Sequence, residues 1–441
     1  MLKKFLKSLI VTIITFEARI VLSKYKPKII AITGSVGKTS TKDAVATVLS
    51  KRFVIRKSNK SFNSELGVPL TILGLPNGWS NPFIWLKIIF QGLFLCLPNS
   101  FQLRTFNYPL WLILEIGADR PGDIEKICKW LKPDITIITH FGKVPAHVEF
   151  FSSQKELIRE KSFLVKALKE SGILILNNDD EDVRSLKDLR RDCRVLTISI
   201  NHESDYQASN IETTCVEQNG FQVPIGISFR VNYAGNSVPI YINGGLGKQH
   251  IYPVLFALSL GNSLGLNMVE MANGISEHKT PPGRMKIVDG IKASTIIDDT
   301  YNASPIAMTE ALRTLKELKT LGKKIAVLGD MLELGKHSES EHIKIGKEAR
   351  ASCDILITVG IRGRDIAKGA QDNGMDEKFI FQFDTSEEAA IPVKDLIQLG
   401  DILLVKASQG IRMEKIVEEI MAKPEMKGEL LVRQEPEWSD R

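Results

Sequence analysis

Cysteine is scarce in this 441-residue chain. The five present (Cys96, Cys128, Cys193, Cys215, Cys353) are scattered, odd in number and form no Cys-x-x-Cys pair. That excludes a disulfide framework, offers no zinc-ligand spacing and fits a reducing cytosol. Long hydrophobic runs are missing too. The uncharged stretch from Ser8 to Phe16 is too short to span a bilayer as a helix, and no small-residue cleavage site follows it, so a signal peptide is not expected. No dense Arg/Lys cluster is interleaved with aromatics, and the net charge is only +6, which argues against a nucleic-acid partner. There is no internal repeat. What is present is globular: 43% hydrophobic and 25% charged residues, in a chain too long for one core, so two or three domains are expected.

Two apolar stretches stand apart. Residues 2–23 read as an amphipathic helix, either at a membrane interface or packed on the body of the protein. Residues 82–98 are aromatic-rich, with Lys87 and Gln91 as the only strongly polar groups. They read as a segment that touches a membrane surface, pairs with the N-terminal helix or forms a buried core helix.

The most informative stretch is Ile32-Thr-Gly-Ser-Val-Gly-Lys-Thr-Ser-Thr41. It follows an apolar strand, Lys28–Ile32, and precedes a helical segment, Lys42–Leu49. Strand, glycine loop, Lys-Thr and helix make a phosphate cradle, although the full Walker pattern would place glycine at Ile32. Gly34 and Gly37 let backbone N–H groups near an anion, with Ser35, Val36 and Ser40 completing the loop. The helix N-terminus adds partial positive charge. Lys38 is placed for terminal phosphates and the Thr39 hydroxyl for Mg²⁺.

From residue 28 to about 200, short apolar runs alternate with helical periods. Strands are expected at Lys28–Ile32, Phe53–Arg56, Leu110–Glu115, Ile135–Thr139, Ile173–Asn177 and Arg194–Ile200, with a helix at Gln154–Glu170. This alternation predicts a mostly parallel sheet with helices on both faces. Residues 205–243 read as antiparallel strands with a turn at Ala-Gly-Asn-Ser, followed by helices near Gln249–Leu264 and Met268–Ser276. After Lys279-Thr-Pro-Pro-Gly-Arg284 a second α/β series begins, with strands near Ser294–Asp298, Lys324–Leu328, Ile355–Val359, Phe379–Phe381 and Ile402–Val405. The expected architecture is α/β: an apolar helix at 1–27, a P-loop-type ATPase domain at 28–281, a Rossmann-like domain at 282–423 and a frayed polar tail at 424–441.

Several residues fall where chemistry overrides packing. Glu115 ends an apolar strand, where open parallel sheets bind ligands, and a carboxylate facing the cradle suits Mg²⁺. His140 and His147 share a loop after another strand end. Lys161 lies fourteen residues beyond His147 on a charged helix, a setting in which a lysine is ordinarily solvated.

Taken together these residues resemble the Mur ligase family, over roughly residues 28–420, and within it the branch that adds D-Ala-D-Ala. The resemblance rests on Thr33–Ser40, Asn63-Ser-Glu-Leu-Gly-Val-Pro-Leu-Thr71, Glu115–Ala118, Ala146–Phe151 with Lys161, and Asn177–Asp180. It continues through Gly283-Arg284, Asp298-Asp-Thr-Tyr-Asn-Ala-Ser-Pro305, Ala326–Gly335 and Arg412–Lys415. It implies an ATP-dependent amide ligase of peptidoglycan precursor synthesis: a muropeptide carboxylate becomes an acyl phosphate and is captured by the amine of D-Ala-D-Ala. It further implies that Lys38 meets the β/γ-phosphates, that Thr39 and Glu115 hold one Mg²⁺, and that His147 and a carbamylated Lys161 serve a second. Asp299 and Asn302 would reach the nucleotide base and ribose, and Arg284 the phosphates on domain closure. Asp330, Glu333, Ser408 and Arg412 would lie on the amine side.

The chain also departs from the family. About thirty residues precede the cradle, so the family's separate uridine-nucleotide domain is expected to be missing. Gly247-Lys-Gln-His-Ile251 replaces Gly-x-His-Asn-Ile, and Ala407-Ser-Gln409 replaces Gly-Ser-Arg, a change that Arg412 is placed to offset. The expected location is cytoplasmic, with contact to the inner face of the membrane through 2–23 and 82–98. Two alternatives stay open at this point: a Mur-type ligase with a different or lipid-linked acceptor, and a silent nucleotide-binding scaffold.

Overall fold

A computed structural model of the chain describes residues 2–58, 62–79, 81–97, 108–142, 151–218, 220–277, 280–435 and 438. It divides into two compact units, one of residues 1–141, 153–207 and 252–274, the other of residues 142–152, 208–251 and 275–441.

The first unit carries α1 (Leu2–Tyr25), β1 (Lys28–Thr33), α2 (Lys38–Ser50), β2 (Ile55–Lys57), α3 (Gly67–Leu73) and α4 (Pro82–Cys96). It continues with β3 (Trp111–Glu115), α5 (Asp123–Cys128), β4 (Ile135–Ile138), α6 (Gln154–Lys166), β5 (Ile173–Asn177), α7 (Glu181–Arg184), β6 (Arg194–Ser199) and the opening of β7 (Tyr206–Gln218). Nearly all of α8 (Ile251–Ser263) and most of α9 (Met268–Ser276) belong to it as well. The strands run parallel in the order β2-β3-β1-β4-β5-β6. Central strands buried on both faces need largely apolar sequence, and Ile29–Ile32, Leu112–Leu114 and Ile135–Ile138, the last with one buried threonine, Thr136, supply it.

The apolar stretches at 2–23 and 82–98 pack on each other. Trp85, Ile88, Gly92 and Leu95 form the buried stripe of α4, and Ile14, Glu17, Ala18 and Val21 are buried on α1. Gly92 is needed there, because a Cβ would sit 2.0 Å from Glu17 Oε2. Lys24 Nζ donates to the carbonyls of Leu95 and Leu97 and closes the C-terminal end of α4.

In the second unit β8 (Phe221–Tyr233) and β9 (Asn236–Asn243) form an antiparallel hairpin. Its two-residue turn, Ala234-Gly235, has positive φ at both positions (44° and 78°), the handedness that matches strand twist. The Rossmann-like part holds β10 (Lys286–Asp289), β11 (Thr295–Asp299), α10 (Pro305–Glu317), β12 (Lys324–Gly329), α11 (Ser338–Arg350) and β13 (Ile355–Val359). It ends with α12 (Gly363–Asp372), β14 (Ile380–Phe383), α13 (Ser386–Leu396), β15 (Ile402–Lys406), α14 (Glu414–Ile420) and α15 (Lys427–Leu430). The sheet order is β10-β11-β15-β12-β13-β14, parallel except for β10 at the edge.

Two differences from the sequence expectation stand out. β10 was not expected, since four residues ending in Asp give no clear period. The region after 424 is not a frayed tail throughout: α15 forms, Leu431 is buried, and Arg433 ion-pairs with the buried Glu414 at 2.7 Å. A burial that depends on one arginine reaching a distant acid leaves no local pattern to read.

Candidate active site

In the first unit the phosphate loop follows β1, the strand between β3 and β4. Register places Ile32 beside Glu115 and Thr33 beside Ile138, so Glu115 and the 139–141 turn both open onto the loop. Gly34 (φ 150°) has no room for a side chain, since a Cβ would stand 1.9 Å from Thr139 Oγ1. That hydroxyl donates to Val36 O at 2.6 Å, and His140 O accepts from Ser35 N (2.6 Å) and Val36 N (3.4 Å). Gly37 (φ 86°) opens α2 with no capping side chain, leaving the first turn facing the loop. Lys38 Nζ lies back over the loop, 2.9 Å from Gly34 O.

Glu115 is buried at the head of this loop. Oε2 accepts from Thr39 Oγ1 at 3.0 Å and lies 3.5 Å from Lys42 Nζ, while Oε1 accepts from Asn63 Nδ2 at 3.3 Å. A hydroxyl and a carboxylate oxygen thus converge, hard oxygen donors of the kind that would suit Mg²⁺. Burial pulls the Lys42 ammonium below the usual lysine value while Glu115 pulls it back. Asn63 and Lys42 had no role assigned from sequence. The signal for Asn63 was its place in the 63–71 motif, whose backbone also accepts from Gly117 N at 2.8 Å.

Lys161 reaches the same loop from α6. It is 3% exposed, and its Nζ donates to Ser35 Oγ at 2.8 Å above the Phe141 ring. Burial, reinforced by nearby Lys38 and opposed by Asp180, holds its amine well below the ordinary lysine range. The neighbouring Glu160 explains how a charged helix buries a lysine. Its carboxylate accepts from Gly122 N, Ile124 N and Glu125 N at 2.6–3.1 Å and caps α5, which ties α6 to the start of α5. The expectation that such a helix is a solvated face fails here for that reason.

His140 Nδ1 lies 2.8 Å from Asp180 Oδ2, which also accepts from Phe141 N, while Oδ1 accepts from Val183 N. Burial pushes Asp180 upward, but His140 and the two N–H groups outweigh it and hold the carboxyl at about 2. His147 lies outside the described residues. Among the described residues, no group of three or more His, Cys, Asp or Glu converges on a metal position.

In the second unit the expected residues gather at the C-terminal ends of β11, β15 and β12, the usual ligand edge of an open α/β sheet. Asp298 is fully buried and accepts from Gly283 N, Thr300 N and Thr300 Oγ1; burial raises it to about 6. Asp299 does not stand open for a ribose in this structure. One oxygen pairs with Lys406 Nζ at 2.6 Å and the other accepts from Met285 N at 3.1 Å. Asn302 is exposed, its carbonyl accepting from Lys406. Arg284 stacks on Tyr301, 4.0 Å from the ring centre.

Asp330 accepts from Gly363 N at 2.8 Å and is raised by burial, and its backbone carbonyl takes Ser408 N. Ser408 Oγ accepts from Leu332 N, so 330–332 and 408 form one built corner, with Glu333 exposed beside it at φ 63°. His342, missed from sequence, is locked neutral beneath it: Nδ1 donates to Ser338 O and Nε2 accepts from Met331 N. Arg412 is committed to Glu414 Oε1 (2.5 Å) and Trp438 O (3.0 Å), so it does not stand free to replace the arginine absent at 409.

Comparison with known proteins agrees with this arrangement. Residues 100–239 match the Mur ligase middle domain and residues 283–409 the Mur ligase glutamate ligase domain. The UDP-N-acetylmuramoyl-tripeptide–D-alanyl-D-alanine ligase of Bacillus subtilis is 28% identical over 408 residues, 92% of this chain and 79% of that protein. The Thermotoga maritima MurF ligase, solved with ADP, superposes with a TM-score of 0.73 at 24% identity, over 93% of this chain and 83% of that one. The Mycobacterium leprae ligase of the same name is 30% identical over 407 residues, 87% of this chain and 71% of its own. With both domain types matched in order and a relative at that identity over most of its length, this chain belongs to the Mur ligase family.

Proposed function

We propose that the chain is an ATP-dependent ligase of peptidoglycan precursor synthesis that joins a UDP-muramoyl-tripeptide carboxylate to the amine of D-Ala-D-Ala. The names of its relatives carry that reaction. The observation that carries it here is the meeting of four separate stretches at the ends of the neighbouring strands β1 and β3: Thr39 on Glu115 at 3.0 Å, Asn63 on Glu115 at 3.3 Å, and Lys161 on Ser35 at 2.8 Å.

A carboxylate is a poor electrophile. In the proposed reaction its oxygen attacks the γ-phosphorus of ATP, the β–γ bridge breaks and ADP leaves. The amine then attacks the acyl carbon, phosphate departs with the C–O electron pair, and the nitrogen loses a proton. Lys38 neutralises the β/γ-phosphates, and the loop N–H groups and the α2 N-terminus hold them in line. Mg²⁺, held by Thr39 and Glu115, would supply charge neutralisation at the phosphates. Carbamylation of Lys161 needs the neutral amine, and burial next to Lys38 favours that form. With His147 it would serve a second ion. On the second unit, Asn302 belongs to the base and ribose side, with Asp299 behind it held by Lys406 and Met285 N, Arg284 belongs to the phosphates, and Asp330, Glu333 and Ser408 to the incoming amine.

The compartment that goes with this reading is the cytoplasm, against the inner face of the membrane. Among the described residues, no helix is long and apolar enough to cross a membrane. The test is phosphate release from ATP together with product mass. Release that requires both the muropeptide and D-Ala-D-Ala supports the ligase. ATP binding without substrate-dependent turnover overturns it in favour of a scaffold.

A further inference from the structure

Helix α4 has the sequence Pro-Phe-Ile-Trp-Leu-Lys-Ile-Ile-Phe-Gln-Gly-Leu-Phe-Leu-Cys, apolar on every side, yet only one stripe of it is buried. Phe83 is 81% exposed and Phe90 62%, and Leu86, Leu93 and Phe94 are also exposed, as are Leu9 and Phe16 on α1. A helix apolar all round belongs in a core or in lipid. At fifteen residues, about 22 Å, α4 is too short to span a bilayer.

The charges beside this face choose among its occupants. Among the described side chains of α1 and α4 the outward charges are basic: Arg19 and Lys87 are exposed, Lys7 is exposed and pairs with Glu65 at 3.5 Å, and the only acid of the two helices is Glu17. Glu17 is buried and, among the described residues, neither carboxylate oxygen has a hydrogen-bond partner, so it presents no negative charge outward. A second copy of this chain would set Arg19 and Lys87 against the same cations. A surface of anionic phospholipid headgroups offers both the opposite charge and an apolar layer for the phenylalanines.

We propose that the α1–α4 pair is a monotopic docking element, resting in the interfacial layer of an anionic bilayer with the Phe83, Phe90 and Phe94 side chains inserted and Arg19 and Lys87 on headgroups. The inference extends the membrane-facing compartment given above, but it stands on this surface alone and does not depend on the ligase reaction.

The test is flotation of the full chain with phosphatidylcholine vesicles, with and without phosphatidylglycerol. Recovery with the anionic vesicles should exceed recovery with neutral ones by about tenfold and fall with added salt. The triple variant F83S/F90S/F94S changes only exposed side chains, and it should lose flotation while keeping the parent's turnover on soluble substrates. Lys87→Glu, which reverses the sole charge on α4 and touches no packing, should lower anionic recovery by about tenfold. Equal recovery from both vesicle types, no flotation, or a triple variant that floats like the parent would each overturn the proposal. So would a dimer of the parent that the triple variant dissociates. Flotation without ligation would sink the proposed reaction and leave this inference standing.

Discussion

Lys161 concentrates the conflict between stability and chemistry in one side chain. Its amine titrates well below the ordinary lysine value in the folded chain. The native state therefore holds this proton less tightly than the unfolded chain does, so the residue costs stability at neutral pH, and the cost fades as pH rises toward 10.5. Lys161→Met, similar in length and uncharged, removes that cost. Its melting temperature at neutral pH is expected to equal or exceed the parent's, while ligation falls by about a thousandfold. Glu115 behaves in the opposite way. Glu115→Ala strands Lys42, whose side chain is 1% exposed, and should cost about 3–5 kcal/mol in a urea titration. Adding Lys42→Met should recover most of that loss, and a double-mutant cycle measures the coupling.

At the level of elements, local chemistry was legible and its partners were not. The strand–loop–α2 segment could be read because glycine spacing, Lys38 and Thr39 lie within one short run, and Glu115 because it ends an apolar strand. The burial of Lys161 was hidden, since it depends on Glu160 capping α5, nearly forty residues away. The same holds for the turn after β4, where Asp180 at the head of α7 holds His140 and Phe141 N. His140 in turn shapes the phosphate loop through its carbonyl. The Asp180 carboxyl sits at about 2 against an ordinary 3.8. Its stabilising contribution is present above the ordinary value and is lost as pH falls through about 2. That difference corresponds to about 2 kcal/mol. Asp180→Asn should lower neutral-pH stability by about that much and flatten the acid limb of the stability curve, which denaturant titrations between neutral and strongly acidic pH will show.

Across the whole molecule, the phosphate-loop cluster, the 300–303 loop and the α1–α4 face draw on different residues, so their effects should separate by mutation. In the second unit Arg433 carries a task that no motif announced. Its guanidinium pairs with buried Glu414 and donates to the carbonyls of Thr300 and Tyr301, and Arg284 stacks on the Tyr301 ring. One arginine from the C-terminal segment therefore holds the loop that carries Asn302. Arg433→Ala leaves two carbonyls and half of a buried carboxylate without donors, at a cost of about 3 kcal/mol. Because the loop would loosen before the sheet does, amide exchange at 300–303 should rise first, and the KM for ATP should rise more than kcat falls. Arg433→Lys should restore part of the melting temperature but little of the KM, since a lysine cannot span Glu414 and both carbonyls at once. Vesicle flotation should be unchanged in either variant. A parallel loss of flotation, or a fall in kcat with KM and loop exchange unaltered, would show that Arg433 does not act through this loop.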